Sequence, residues 1–546
     1  MRILKIISAS TLFSAILLIA SCSSKMNLKS ESPSSDVTEI KVDLSQELQT
    51  IDGFGASDAW RCEVVGKNWP LEKRNAIADL LFSKEIDAQG NPKGIGLSIW
   101  RFNLGAGSTE QGEKSKVSDE WRRSESFLQA DGTYDFNKQE GQRWFLQAAK
   151  KRGVEKFLIF TNSPPVYMTK NGLSFASEKN KLNLKDGAIP KFADFLVQSI
   201  QGLEKKEGIK FDYVSPINEP QWEWMPKHGD TNSQEGTPAT NKEIYDLTKS
   251  LSEKLKANKM NTEIVIAEAA QIDYLYENVN SENRDKQIDY FFGKTKTNVS
   301  KFPNVKNVIL GHSYFTTWPI ERQVLSRKLI AANIKQNPGL KYWQSEYCIL
   351  ENPGEAEIPG GSGGGRDLGM QTALFVGRLI HNDIAVANAA SWQWWTSLTR
   401  VDYKDGLIYL DDGKSNGGTA PDYVKNDGEF HDSKLLWALG NYSLFVRPGM
   451  LRIDVPNQND LEAASDVMLT AYKDVENKKL IVVAVNVGKS AQKYKFNLSK
   501  GAVKNNDFTP YITSDTSNLK RAAIQKIDNL EIPAKSIVTF VGELQF

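Results

Sequence analysis

The sequence predicts an α/β protein, a (β/α)8 barrel with a fused C-terminal β-sandwich that is completed by a strand from the N-terminal end of the chain. Three observations carry that expectation. Short apolar runs rich in β-branched and aromatic residues recur eight times through the middle of the chain, with amphipathic stretches between them. Near Pro448 the texture changes to strand-like runs separated by polar turns, with little helical periodicity. Ahead of the first barrel unit, residues 37–44 alternate as a strand does. The 546 residues fit one large and one small domain, since α/β barrels routinely exceed the usual size of about 150 residues.

The candidate barrel strands are 51–55, 96–103, 156–162, 211–218, 263–268, 308–312, 341–346 and 387–395. Helical periodicity separates them at 71–83, 140–151, 190–206, 241–257, 321–336 and 366–382, and again at 433–445 after a long insertion. The weakest helical signal, around 284–294, falls between the fifth and sixth strands. A doubly wound open sheet is the alternative for such a pattern, but no G-x-G-x-x-G opens a helix after the first strand. Beyond the barrel, 467–472, 479–486, 492–497 and 536–541 read as sandwich strands. The expected organisation is therefore 37–50 as the sandwich's N-terminal strand, 51–447 as the barrel and 448–546 as the sandwich, with no internal repeat.

Residues 1–22 read as an address. Arg2 and Lys5 precede an apolar run of about 15 residues, short of the roughly 20 that span a bilayer, and Ile19-Ala20-Ser21-Cys22 resembles a bacterial lipobox. On that reading Cys22 is lipidated and 23–36, rich in Ser, Lys and Glu, is a flexible tether holding the folded part outside the cytoplasm at a membrane. A plain signal peptide or an uncleaved anchor is the alternative. Cys62 and Cys348 are left, paired or free, which excludes a disulfide-stapled scaffold. Lys and Arg number 68 against 67 Asp and Glu, so the chain lacks the basic excess that a nucleic-acid partner calls for.

In a barrel of this kind, chemistry sits at the C-terminal ends of the strands. The fourth strand ends Ser215-Pro216-Ile217-Asn218-Glu219-Pro220, and the seventh ends Trp343-Gln344-Ser345-Glu346-Tyr347. Each puts a carboxylate at the mouth among aromatic and amide side chains. Two carboxylates facing one pocket are what glycosidic cleavage requires, one to donate a proton and one to act as nucleophile or base. Taken singly, a Glu reads better as a solvated or salt-bridged loop residue, and it is the pairing at two strand ends that favours the catalytic reading.

Further segments carry a resemblance. Gly53-Phe54-Gly55-Ala56-Ser57-Asp58, Trp100-Arg101-Phe102-Asn103, Asn162-Ser163-Pro164-Pro165 with Met168 and Asn171-Gly172, Asn218-Glu219-Pro220, His312-Ser313-Tyr314 and Ser391-Trp392-Gln393-Trp394-Trp395 occur in this order between residues 50 and 400. As a set they resemble glycoside hydrolase family 30, a family of retaining enzymes whose barrels carry a small β-sandwich. The resemblance implies Glu219 as acid/base and Glu346 as nucleophile. It implies Asn218 on the sugar 2-hydroxyl, Tyr314 and Arg101 on Glu346, and Asp58, Asn162, His312, Trp394 and Trp395 around the reacting sugar. Trp222 and Trp224 follow the acid/base and are expected to stack on sugar rings on the leaving-group side, with packing beneath the loop as the alternative. Tyr167 departs from the family, which usually has Trp there.

The stretch 215–224, followed by Gln234-Glu235-Gly236, looks most like the endo-β-1,6-galactanase branch, with β-1,6-glucanase next. A non-catalytic surface glycan-binding lipoprotein is the reading from another class, and retention of both Glu speaks against it. The expected partner is a polysaccharide or oligosaccharide, met by a monomer without cofactor or metal. The four His show no metal-site spacing, and Asp402 and Asp411-Asp412-Gly413 lack an EF-hand pattern. Gly360-Gly361-Ser362-Gly363-Gly364 matches G-x-S-x-G only formally, because no strand–turn–helix surrounds it.

Overall fold

A computed structural model describes residues 37–226, 229–279, 283–350, 363–414 and 418–545. Cys22, the signal segment, the tether, His228 and Gly360-Gly361-Ser362 lie outside the described residues. The chain enters through β1 (Thr38–Asp43) and β2 (Glu47–Thr50). A closed ring of parallel strands follows, β3 (Gly53–Ser57), β4 (Ile99–Asn103), β5 (Lys156–Phe160), β6 (Tyr213–Ser215), β7 (Glu263–Ala269), β8 (Val305–His312), β9 (Lys341–Glu346) and β10 (Ala389–Thr399). β10 pairs with both β3 and β9, which closes the barrel and removes its edges. β11 (Gly406–Asp411) adds beside β10 in parallel, and β12 (Glu429–Asp432) returns antiparallel to β11.

Period-2 alternation sorts side chains between the barrel's interior and its helical jacket. In β4, Trp100 meets Phe82 and Phe145 of the helices while Arg101 and Asn103 point to the site. The expected helices form at Leu71–Phe82, Glu140–Lys151, Ile189–Glu207, Asn241–Ala257, Ile320–Lys335, Met370–Ala385 and Lys434–Ser443. Their starts follow from capping: Thr240 and Glu243 close a capping box on Asn241–Ala257, and the Ser433 hydroxyl accepts the Leu436 amide at 3.1 Å. The weak signal near 284–294 resolves to the short helix Gln287–Phe292, and Arg61–Asn68 is a helix the periodicity did not announce.

The second part holds β13 (Leu451–Ile453), β14 (Val467–Asp474), β15 (Lys479–Asn486), β16 (Gln492–Ser499), β17 (Ala502–Ser514), β18 (Ser517–Arg521), β19 (Gln525–Lys526), β20 (Leu530–Ile532) and β21 (Ser536–Gln545). The N-terminal segment supplies one strand to each sheet. β1 pairs parallel with β16 in the small sheet, and β2 pairs antiparallel with β13 in the large one. Val42, Phe496, Leu530, Leu469, Val482 and Phe540 meet between the sheets. The long strand β17 was not expected, because Lys504-Asn505-Asn506-Asp507 breaks its alternation; Asn505 and Asn506 take left-handed backbone at a break in the pairing register with β21.

Candidate active site

The C-terminal rim of the barrel gathers charged side chains from five strands. Glu219 follows β6, Glu346 ends β9, His312 ends β8, Arg101 lies on β4, and Glu268 is near the end of β7. A register shift at the end of the β8–β9 ladder sets His312 directly beside Glu346. Glu219 and Glu346 keep 7% and 3% of their surface, so both are desolvated yet reachable. One oxygen of each, with a ring nitrogen of His312, falls within a 4.8 Å group.

The backbone at Glu219 is left-handed, φ 46°, which a non-glycine residue adopts only when held. It is held from both sides. The Glu219 amide donates to the Glu268 carbonyl at 3.0 Å, and the Glu219 carbonyl accepts the Trp224 indole N–H at 3.0 Å. His312 lies between the carboxylates, with Nδ1 2.9 Å from Glu219 Oε1 and 3.7 Å from Glu346 Oε1, and Nε2 3.0 Å from Glu268 Oε2.

Glu346 accepts from Arg101 Nη1 at 3.1 Å and from the Tyr314 hydroxyl at 3.1 Å. Burial pushes its carboxyl up to about 7 against the pull of His312 and Arg101. The Tyr314 phenol is driven well above its ordinary value by burial, so it stays a donor. Arg101 also meets Glu268 at 3.3 Å and lies over the Phe160 ring at 4.5 Å. Asp58, wholly buried and pushed to about 7 by that burial, accepts the Asn103 amide at 2.8 Å. Asn218 donates to Asn162 at 3.1 Å, and Asn162 to Asn103 at 3.0 Å. That chain leaves the Asn218 side-chain oxygen buried with no hydrogen-bond partner among the described residues, an acceptor suited to a sugar hydroxyl.

Trp395, 8% exposed, packs edge-on to Trp60 and Phe160 in the wall of the mouth. Trp394 does not belong there. It shares a face with Trp392, is fully buried, and donates to the Asp405 carbonyl at 2.9 Å, because alternation along β10 turns it away from the site. Trp222 is half-buried and packs edge-on to Phe315 at 5.7 Å. Trp224 supports the Glu219 loop, with its ring pressed on Gly236, where an added Cβ would come within 2.3 Å. Tyr167 is half-buried on the loop after β5.

Glu268 and Asn103 were not singled out as site residues in the sequence. The signal for Glu268 was present, a carboxylate closing a third barrel strand, but an acid in an Ala-rich strand end lacks the flanking Asn that marks Glu219. Cys62 and Cys348 are both buried and form no disulfide with each other, and the Cys348 sulfur lies 3.7 Å from the Tyr314 hydroxyl. Glu219, His312 and Glu346 also have the spacing of a metal cluster, but both ring nitrogens of His312 face carboxylates. Burial alone would lower the His312 pKa, but Glu346 and the other carboxylates outweigh it and raise it to about 10.

Comparison with known proteins places the chain in a family. The chain is 23% identical to an endo-beta-1,6-galactanase of Hypocrea rufa over 85% of this chain and 84% of that protein. A solved conserved exported protein from Bacteroides fragilis is 37% identical, covers 93% of this chain and 100% of its own, and superposes with a TM-score of 0.83. The catalytic domain of GH30 xylanase C from Talaromyces cellulolyticus, 19% identical over 92% of this chain and 99% of its own, shares the fold with a TM-score of 0.64. Residues 37–409 match O-glycosyl hydrolase family 30, so the span that builds the rim carboxylates is the span by which the chain belongs to that family of glycoside hydrolases.

Proposed function

We propose that the chain is a retaining glycoside hydrolase that cleaves β-1,6-galactan by double displacement, with Glu346 as nucleophile and Glu219 as acid/base. The observation that carries the reading is the approach of the two carboxylates to within 4.8 Å at their nearest oxygens. Retaining enzymes hold the pair about 5–5.5 Å apart so that one can attack the anomeric carbon directly, whereas inverting enzymes leave roughly 6.5–9.5 Å for a water. The donors Arg101 and Tyr314 on Glu346 favour its ionised form and aim it. Glu219 protonates the leaving oxygen in the first step and takes a proton from water in the second. The free oxygen of Asn218 suits the sugar 2-hydroxyl.

The galactan assignment is supported by the similarity to the Hypocrea rufa enzyme along nearly the whole chain and by the motif after β6. Reducing ends released from β-1,6-galactan, β-1,6-glucan and glucuronoxylan test it, with galactan expected to lead by at least tenfold. Preference for either other polymer overturns the substrate assignment. Proton NMR of the first-formed product is expected to show the β anomer, and early α anomer overturns the retaining mechanism. Export and anchoring through Cys22 complete the reading, and the similar Bacteroides fragilis protein is described as exported. Cys22→Ser is expected to move the protein from the membrane to the soluble fraction, and an unchanged membrane fraction overturns the anchor.

A further inference from the structure

Glu268 has no place in the two-carboxylate scheme, yet it lies fully enclosed among the charged side chains of the rim. It is wholly buried, and its Oε1 meets Arg101 Nη2 at 3.3 Å. Its Oε2 takes His312 Nε2 at 3.0 Å and the Ser345 hydroxyl. Its own carbonyl accepts the Glu219 amide, and its backbone is left-handed at φ 50°. We propose that Glu268 is a positioning residue of the reaction: by binding the Nε2–H of His312 it keeps that ring a permanent cation, with Nδ1–H aimed at Glu219. The charge left on Glu219 when its proton goes to the leaving oxygen then meets a hydrogen bond already in place.

The argument is one of charge balance. The groups facing His312 are Glu219 after β6, Glu268 on β7, and Glu346 and Ser345 on β9, with the Tyr314 ring edge-on and Arg101 joining Glu268 to Glu346. With Glu219 protonated and the other two acids ionised, Arg101 and an imidazolium make the cluster neutral. Transfer of the Glu219 proton and esterification of Glu346 leave Arg101 and His312 against Glu268 and Glu219, neutral again. A neutral His312 would leave one net negative charge in a desolvated site at both stages, where electrostatic imbalance is expensive. Burial alone would lower the His312 pKa, but Glu346, Glu219 and Glu268 together raise it to about 10. Burial likewise opposes ionisation of Glu268, yet Arg101, His312 and Ser345 hold it near 2. Between the steps the His312 Nδ1–H stays aimed at Glu219, which then acts as base.

The inference rests on the assignment of Glu219 and Glu346, so the test separates the two. Glu268→Gln keeps the shape and removes the charge. The alkaline limb of kcat/KM on an aryl β-galactoside is expected to move down by at least one pH unit, with loss of tens of fold at pH 9 and only a few fold at pH 6. A profile with the wild-type limb overturns the proposal while leaving the catalytic pair intact. Activity retained by both Glu219→Ala and Glu346→Ala would instead overturn the underlying assignment. Should Glu268→Gln fail to fold, imidazole nitrogen NMR of the wild-type protein decides alone, with the His312 signals identified by their loss in His312→Gln. Two bound protons on His312 through pH 9 are expected, and a neutral ring at pH 7.5 overturns the proposal.

Discussion

Glu219 and Glu346 carry the same functional group, and only their surroundings divide the labour between them. Glu346 receives Arg101 and Tyr314, while Glu219 receives His312 and stands on a pinned, left-handed backbone. Removing each should therefore fail differently. Glu346→Ala loses the attacking atom and should abolish turnover of every substrate. Glu219→Ala should cost about 10²–10⁴-fold where the leaving group needs protonation, and far less where it does not. Azide should then restore turnover with a β-glycosyl azide as product, and an α-azide from Glu219→Ala would reverse the assignment. The two tryptophans after Glu219 separate in the same way. Trp224 is committed to the Glu219 carbonyl and to Gly236, whereas Trp222 is half-buried against Phe315. Losing a stacked ring costs on the order of 1–3 kcal/mol, by analogy with bases stacked on aromatics. Trp222→Ala should thus slow hydrolysis of the polymer by tens of fold and a small aryl β-galactoside by only a few fold. Equal loss on both substrates would make Trp222 a packing residue.

At the scale of elements, the sharpest constraint is where helix Arg61–Asn68 crosses helix Glu140–Lys151. The Glu63 carboxylate accepts the amides of Gly141 at 2.9 Å and Gln142 at 3.0 Å, satisfying donors at the start of the second helix. The crossing is close because both helices bring glycine to it. A Cβ on Gly141 would lie 1.9 Å from the Glu63 carbonyl oxygen, and one on Gly66 would lie 2.2 Å from the Gly141 carbonyl oxygen. In an exposed helix Gly→Ala would stabilise, but here the added methyl group meets rigid backbone. Gly141→Ala should destabilise the protein by about 1–3 kcal/mol, the range for overpacked interiors, as read from the denaturant midpoint. A midpoint equal to or above wild type would show that the helices can separate freely.

At the scale of the molecule, the barrel and the sandwich share one apolar core. Met468, Tyr472, Ile481, Val483, Val485 and Ile537 of the large sandwich sheet belong to the same buried cluster as the barrel's interior and helices. Gly377 of helix Met370–Ala385 sits so close to Ile537 that an added Cβ would approach within 2.7 Å. Calorimetry should accordingly show one unfolding transition, and two separated transitions would contradict a shared core. Its midpoint should depend on pH in a stated direction. Burial raises Asp58, Glu63 and Glu235 to about 7, so each stabilises fully below an unfolded value of about 4 and loses that contribution as pH climbs through 7. His312, raised to about 10, acts in the same sense, with its contribution lost between its unfolded value near 6.5 and 10. Glu268, depressed to about 2, supplies stability that vanishes only in strong acid. The melting temperature should therefore be highest in mild acid and fall steadily toward pH 9. A melting temperature that rises from pH 6 to pH 9 would contradict these shifts.

The sequence by itself determined the alternation of strand and helix, the two-part architecture with its N-terminal strand, and the rim positions of Glu219, Glu346, Arg101, Asn218, His312 and Tyr314. It could do so because local periodicity marks each element, and barrel geometry then puts every strand's end at one mouth. What only the tertiary structure decided is how those ends meet. Whether Trp394 or Trp395 faces the site depends on the pleat of β10, and a reading uncertain by one residue exchanges them. The strand β17 escaped because its polar, bulged middle is stabilised by pairing with β21, a partner outside its own segment. Glu268 escaped for the same physical reason. Its importance lies in Arg101, His312 and Ser345, which converge on it from three other strands, and no local pattern records a convergence of that kind.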